Sequence, residues 1–141
     1  MAKNTGKTSE SIWELAWTRK GKRAYFYRIP DAAEHFGRNK GKILNVRPTP
    51  SDYILTCDGD TCYCEVKSTQ NPTSFPFSLL KKGQTAAAAQ VLSAGGGYFV
   101  FVHNLLTDTW YCIPYQVIQD AKKSSMPWKE LEQFTWKPLT S

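Results

Sequence analysis

The spacing of hydrophobic and polar positions changes several times along this chain, and each change predicts an element. Ile12, Leu15 and Ala16 mark the buried side of a helix that starts at Thr8 or Ser11 and runs to about Thr18. Ser11-Ile12-Trp13-Glu14 reads as its capping box, and Glu10 and Glu14, four residues apart, share another face. The aromatic-rich stretch Arg23–Ile29 fits a first strand, ended by Pro30. A polar, basic loop follows to Lys42, and Ile43–Val46 reads as extended before Pro48-Thr49-Pro50. Asp52–Cys57 and Thr61–Ser68 alternate with period two around Asp58-Gly59-Asp60, a hairpin signal. A helix is expected from Ser78 to Ala94, stopped by Gly95-Gly96-Gly97. Tyr98–Val102 is apolar enough for a sheet centre, and Trp110–Ile113 is the next strand. Pro114 starts a short helix to about Lys122, and the tail adds a turn from Pro127 through Phe134. The order α-β-β-β-α-β-β-α predicts an α/β fold, with one mixed sheet of about five strands flanked by helices.

Bulk composition bounds this picture without changing it. At 141 residues there is room for one domain with a single core, its first seven residues and its tail flexible. No apolar run reaches membrane-spanning length and no hydrophobic signal region opens the chain, so the protein is expected to stay where it is made. Cys57, Cys62, Cys64 and Cys112 match no zinc spacing; they read as reduced thiols, which fits a cytoplasmic location.

Charge adds a partner. Residues 1–47 hold eleven Lys/Arg against four Asp/Glu, whereas the other 94 residues hold seven against eight. The excess positive charge therefore lies in the first third, in Arg19, Lys20, Lys22 and Arg23 and again in Arg38, Lys40 and Lys42. Such clusters suit a nucleic-acid backbone, where affinity comes largely from counterion release. A solvated basic surface is the alternative.

The candidate chemistry sits on the hairpin. Period-two alternation puts Glu65 and Lys67 on one face and turns Cys64 and Val66 towards the core. The tight turn returns Asp52 to the side of Glu65. Two carboxylates beside a lysine suit Mg2+, with Mn2+ as a substitute, completed by waters and a phosphate oxygen. Such an ion would activate a water, and Lys67 would orient that water or neutralise developing charge. An ordinary surface Glu–Lys pair is the plain alternative.

Pro50-Ser51-Asp52 followed by Glu65-Val66-Lys67 resembles the PD-(D/E)xK nuclease motif, with Ser51 inserted. With Ser68-Thr69, Phe75-Pro76-Phe77, Gln84 and Gly95-Gly96-Gly97-Tyr98-Phe99 in the same order, the chain is similar to RecU-type Holliday junction resolvases over roughly residues 48–103. Upstream, Gly6 and Glu10 resemble that family's N-terminal glycine and glutamate. The resemblance implies a restriction-endonuclease-like core and a metal-dependent endonuclease, acting as a homodimer on four-way or otherwise branched DNA. It implies catalytic roles for Asp52, Glu65, Lys67, Glu10 and Gln84, and a metal set of Asp52, Glu65, Val66 and Glu10. Glu14 is the substitute for Glu10 on the same helical face. Thr49 and Ser51 would bond metal-bound water or phosphate. Ser51, Lys81 and Lys82 join the basic clusters as expected DNA contacts. The family's DNA-binding stalk insertion has no recognisable counterpart here.

The remaining features have two readings each. Phe75-Pro76-Phe77 is a junction wedge or a staple onto the core, and Gln84 a site residue or a structural hydrogen-bond partner. His35, His103 and the five tryptophans read as structural, and Gly95-Gly96-Gly97 as a helix stop. A less selective endonuclease, a DNA-binding module with a decayed site and an interaction protein are the competing functions.

Overall fold

A computed structural model describes residues 5–30 and 49–139. The expected strand at Ile43–Val46 and the basic residues Arg38, Lys40 and Lys42 lie outside them, as does His35. Helix α1 (Thr5–Thr18) is followed by strand β1 (Ala24–Arg28) and by the hairpin β2 (Tyr53–Cys57) and β3 (Asp60–Thr69). Then come β4 (Ser74–Pro76), α2 (Lys82–Ser93), β5 (Gly97–Asn104) and β6 (Thr109–Pro114). The described chain closes with α3 (Tyr115–Ala121), β7 (Ser125–Pro127), α4 (Trp128–Leu131) and β8 (Thr135–Trp136).

Six strands form one mixed sheet in the order β1-β2-β3-β5-β6-β8. Only β3 and β5 run parallel; the other pairs are antiparallel. Five of the six are strands that the residue pattern predicts. The sixth, β8, is only two residues long and exists because Trp136 pairs with Trp110. A second sheet, β4 with β7, is also absent from the pattern; it registers Phe75 against Met126. Phe75 is 0% exposed, so Phe75-Pro76-Phe77 is a core staple and not an exposed wedge.

The hairpin forms as expected. Asp58 (φ 51°) and Gly59 (φ 93°) both have positive φ, as a two-residue turn matched to strand twist requires. Gly59→Ala should therefore destabilise the protein by about 1–2 kcal/mol, which urea unfolding would register as a lower midpoint. Gly95 (φ 90°) stops α2, as predicted.

Helix α1 corrects the sequence reading in two ways. It begins at Thr5, so Ser11 lies inside it and Ser11–Glu14 is not a capping box. Its buried side is Ser9, Trp13, Ala16 and Trp17, a better 3.6-residue stripe than Ile12, Leu15 and Ala16; Leu15 is 41% exposed. Trp13 stacks on Tyr53 with ring centroids 4.2 Å apart and meets Trp17, Phe26 and Phe101 edge-on. This aromatic cluster, with Cys64 and Val66, fills one side of the sheet. Val100, Val102, Ile113 and Leu131 centre the core on the other. All four cysteines are free, with Cys64 buried and the others partly so.

His103 ties α1 to the sheet. Its Nδ1 lies 2.8 Å from Ser9 Oγ, its Nε2 lies 2.8 Å from Asp108 Oδ1, and its ring stacks on Trp110 at 4.4 Å. That is the structural role expected. No described helix is long and apolar enough to cross a membrane.

Candidate active site

Asp52 immediately precedes β2, where the Ile29 N–H donating to the Asp52 carbonyl (2.9 Å) extends the β1–β2 ladder. Two bonds pin the approach: Tyr98 hydroxyl to the Pro50 carbonyl (2.6 Å) and Ser51 Oγ to the Tyr53 carbonyl (2.8 Å). Ser51 is thus 1% exposed and shapes the turn; its expected role as a DNA contact is corrected. Across the ladder, Asp52 and Glu65 exchange a reciprocal pair of bonds with the opposite backbone. The Asp52 N–H donates to Glu65 Oε1 at 3.0 Å, and the Val66 N–H donates to Asp52 Oδ2 at 2.9 Å.

Glu65 is the surprise of the site. An ordinary surface Glu–Lys pair would leave it exposed, yet its side chain is 0% exposed in β3, which lies between β2 and β5 inside the sheet. Lys67 Nζ stands 3.2 Å from Glu65 Oε2, an ion pair outside hydrogen-bonding geometry, so Oε2 has no hydrogen-bond partner among the described residues. Burial first, and the charge of Asp52 second, push the Glu65 carboxyl up to about 8 against the pull of Lys67. Burial likewise raises Asp52, opposed by the Val66 N–H and Lys67.

Asp52 and Lys67, with Glu65 buried behind them, border a cleft of about 340 Å³ that is also lined by Glu10, Arg28, Thr49, Lys81 and Gln84, with Ile29 and Gly83. Glu10, and not Glu14, is the helix carboxylate that enters it. Glu14 Oε2 instead accepts the Tyr53 hydroxyl at 2.5 Å, which anchors α1 to the sheet. Glu10 lies 3.7 Å from Arg28, and its carboxyl is raised by burial and then by Asp52. Gln84 lines the cleft while its Oε1 accepts the Lys81 N–H at 2.9 Å, so both readings of this residue hold geometrically.

Of the expected DNA contacts, Lys81 lines the cleft and Lys82 is exposed beside it at the start of α2. Arg19, Lys20, Lys22 and Arg23 gather at the opposite end of β1, a strand's length from Arg28. Arg23 there holds Asp58 with two bonds of 2.8 and 3.0 Å. Sequence reasoning missed Arg28, which stands at the cleft as the last residue of β1; its place just before Ile29-Pro30 was the available signal.

The donor set can be tested against a hard divalent cation. Two carboxylates converge, and one buried oxygen lacks a hydrogen-bond partner among the described residues, which suits such an ion. Among the described residues no three His, Cys, Asp or Glu side chains group as a metal site. Glu10 therefore shares the cleft without joining Asp52 and Glu65 in one ligand cluster. Val66 has no side-chain donor and its side chain is in the core, so only its backbone carbonyl could serve a metal.

The sequence pattern of the Recombination protein U family (RecU) matches residues 33–138, a span holding Asp52, Glu65, Lys67 and Gln84. The chain belongs to the RecU family. RecU proteins are Holliday junction resolvases, metal-dependent endonucleases acting on branched DNA. The RecU match excludes α1 and β1, hence also Glu10 and Arg28. No curated protein matches the sequence. Among solved structures, Hjc, a Holliday junction resolvase from Archaeoglobus fulgidus, is similar with a TM-score of 0.60 at 11% identity. That likeness covers 95% of this chain and 92% of the archaeal one, and it shows that the two share a fold, a central mixed sheet flanked by helices.

Proposed function

We propose that this RecU protein hydrolyses a phosphodiester of four-way junction DNA with Mg2+, for which Mn2+ can substitute, held by Asp52 and Glu65 with the Val66 carbonyl. The observation that carries the reading is the buried Glu65 beside Asp52 and Lys67, its Oε2 without a hydrogen-bond partner among the described residues. When bound, the cation makes a water more acidic and takes up charge developing on the phosphate. The protein's own groups do the rest. Asp52 and Glu65 fix each other through backbone N–H groups, so neither needs to reorganise as charge develops. Lys67, 18% exposed, holds its ammonium at the cleft wall, where it can orient a water or stabilise a phosphate oxygen. Arg28 and Lys81 supply further positive charge around the phosphate, and Glu10 tempers Arg28.

Cutting two strands of opposite polarity calls for two such clefts, which a homodimer would provide; solution mass by light scattering tests this directly. The activity itself is tested by offering the protein four-way junctions, nicked, flapped and linear duplexes in Mg2+. Four-way junctions should be cut at least about tenfold faster than linear duplex, a discrimination of about 1.4 kcal/mol. Equal rates would leave a less selective endonuclease, and no cleavage of any DNA would sink the nuclease reading.

A further inference from the structure

β1 presents two of the most exposed aromatic side chains among the described residues, Tyr25 at 67% and Tyr27 at 51%. Phe26 between them meets Trp13 edge-on at 5.7 Å, so strand alternation sends both tyrosines to the opposite face. Glu65 occupies that same face, because its neighbours Cys64 and Val66 belong to the Trp13 cluster. The next residue of this face along β1 is Ile29, which lines the cleft. Tyr27 is therefore one two-residue step from the cleft wall, about 6.7 Å along the strand, and Tyr25 two steps. Cross-strand register continues the surface, with Tyr27 opposite Ile54 and Ile54 opposite Tyr63.

A lone exposed tyrosine needs no explanation. Two in a row, on an exposed part of a sheet face and leading into a nuclease cleft, form a continuous surface with it. Charge points to a polyanion as the occupant. The cleft at one end of β1 holds Lys67 and Lys81, and the exposed Lys22 stands in the turn that precedes the other end. Between these cations the surface offers aromatic rings and the threonine pair Thr56–Thr61, whose hydroxyls are 2.7 Å apart. A phosphate-only track would place cations along its whole length; alternating charge and rings suit a strand whose bases are accessible.

We propose that Tyr25 and Tyr27 form a stacking platform for unpaired nucleotides next to the cut phosphate. The proposal rests on the nuclease reading above and adds the feature of the substrate that it selects. Inside a duplex each base face is covered by its neighbour, whereas at a branch point faces become available to an aromatic ring. The platform thus favours branched over linear DNA without reading sequence. Both tyrosines lie outside the span matched by the family pattern.

The test compares the wild type with Tyr25→Ser/Tyr27→Ser and Tyr25→Phe/Tyr27→Phe double variants, after thermal melts confirm that all three fold. Junction and linear-duplex affinities are measured in EDTA, and KM and kcat on the junction in Mg2+. The serine variant should bind the junction about tenfold more weakly and raise KM to match, with kcat and duplex affinity unchanged. The phenylalanine variant, which keeps the rings, should behave as wild type. Unchanged junction affinity in the serine variant overturns the platform, as does an equal loss on linear duplex. A change in solution mass also overturns it, since the face would then join copies of the chain. If the wild type binds junctions but cuts nothing, the nuclease reading fails, while the platform is judged on affinity alone.

Discussion

Asp52→Asn and Glu65→Gln should each lower junction cleavage on the order of 10³-fold or more, with DNA binding in EDTA retained. The substitutions are chosen because the backbone bonds survive them. The amide introduced by Asp52→Asn keeps an oxygen for the Val66 N–H, and the amide introduced by Glu65→Gln keeps one for the Asp52 N–H. The lost activity can therefore be assigned to charge and ligand chemistry. Glu65→Gln carries a second, independent signature in the metal-free protein. The Glu65 carboxyl titrates near 8 in the fold against 4.5 for an ordinary glutamate, so across that window the native state holds a proton that the unfolded chain has released. Stability should then be greatest below about pH 4.5 as far as this group is concerned, and fall as pH rises towards 8. The slope approaches about 1.4 kcal/mol per pH unit. Asp52 and Glu10, also raised, act in the same direction. Urea unfolding in EDTA at several pH values would show the slope in wild type and a shallower one in Glu65→Gln; parallel curves would refute the account. A bound divalent cation must displace the same proton, so Mg2+ should stabilise the protein more at pH 8 than at pH 6.

Trp13→Ala should cost about 3–5 kcal/mol, a large part of the roughly 5–15 kcal/mol that holds a small domain together. Trp13 is 0% exposed and contacts Trp17, Phe26, Tyr53 and Phe101, so its removal leaves a cavity that four rigid rings cannot readily fill. It is also the main anchor of α1, which carries Glu10 to the cleft. Activity should accordingly fall at temperatures where the variant remains mostly folded. Trp13→Phe offers the contrast. The Trp13 indole N–H is buried with no hydrogen-bond partner among the described residues, a cost of about 1–3 kcal/mol that phenylalanine removes while keeping a ring. A loss for Trp13→Phe equal to that for alanine would show that the indole N–H carries no such penalty.

Much of the site could be read before the fold was known, because its chemistry lies on a hairpin. Asp58-Gly59 specifies the turn, the turn fixes the register, and period two does the rest for Asp52, Glu65 and Lys67. What escaped depends on distant partners. The Trp13–Trp17 stripe competes with Ile12, Leu15 and Ala16 in the same helix, and only the sheet beneath decides which is buried. β4, β7 and β8 are too short to carry a period of their own and are defined by the strands they meet. Arg28 reaches the cleft through β1–β2 pairing across a long stretch of intervening chain, and the burial of Glu65 comes from β5, which local alternation cannot foresee.

That last dependence sets an order of assembly. The antiparallel partners β2 and β3 are joined by two residues and can meet soon after they are made, whereas the parallel partner β5 must wait for β4 and α2 to be traversed. A chain that has formed only the hairpin holds Asp52 beside a Glu65 that is still open to water and lacks the burial that raises its carboxyl most. The enclosed, proton-retaining form of the site comes into being only when the crossover closes. A half-made or half-unfolded molecule therefore has the residues of the nuclease without its electrostatics.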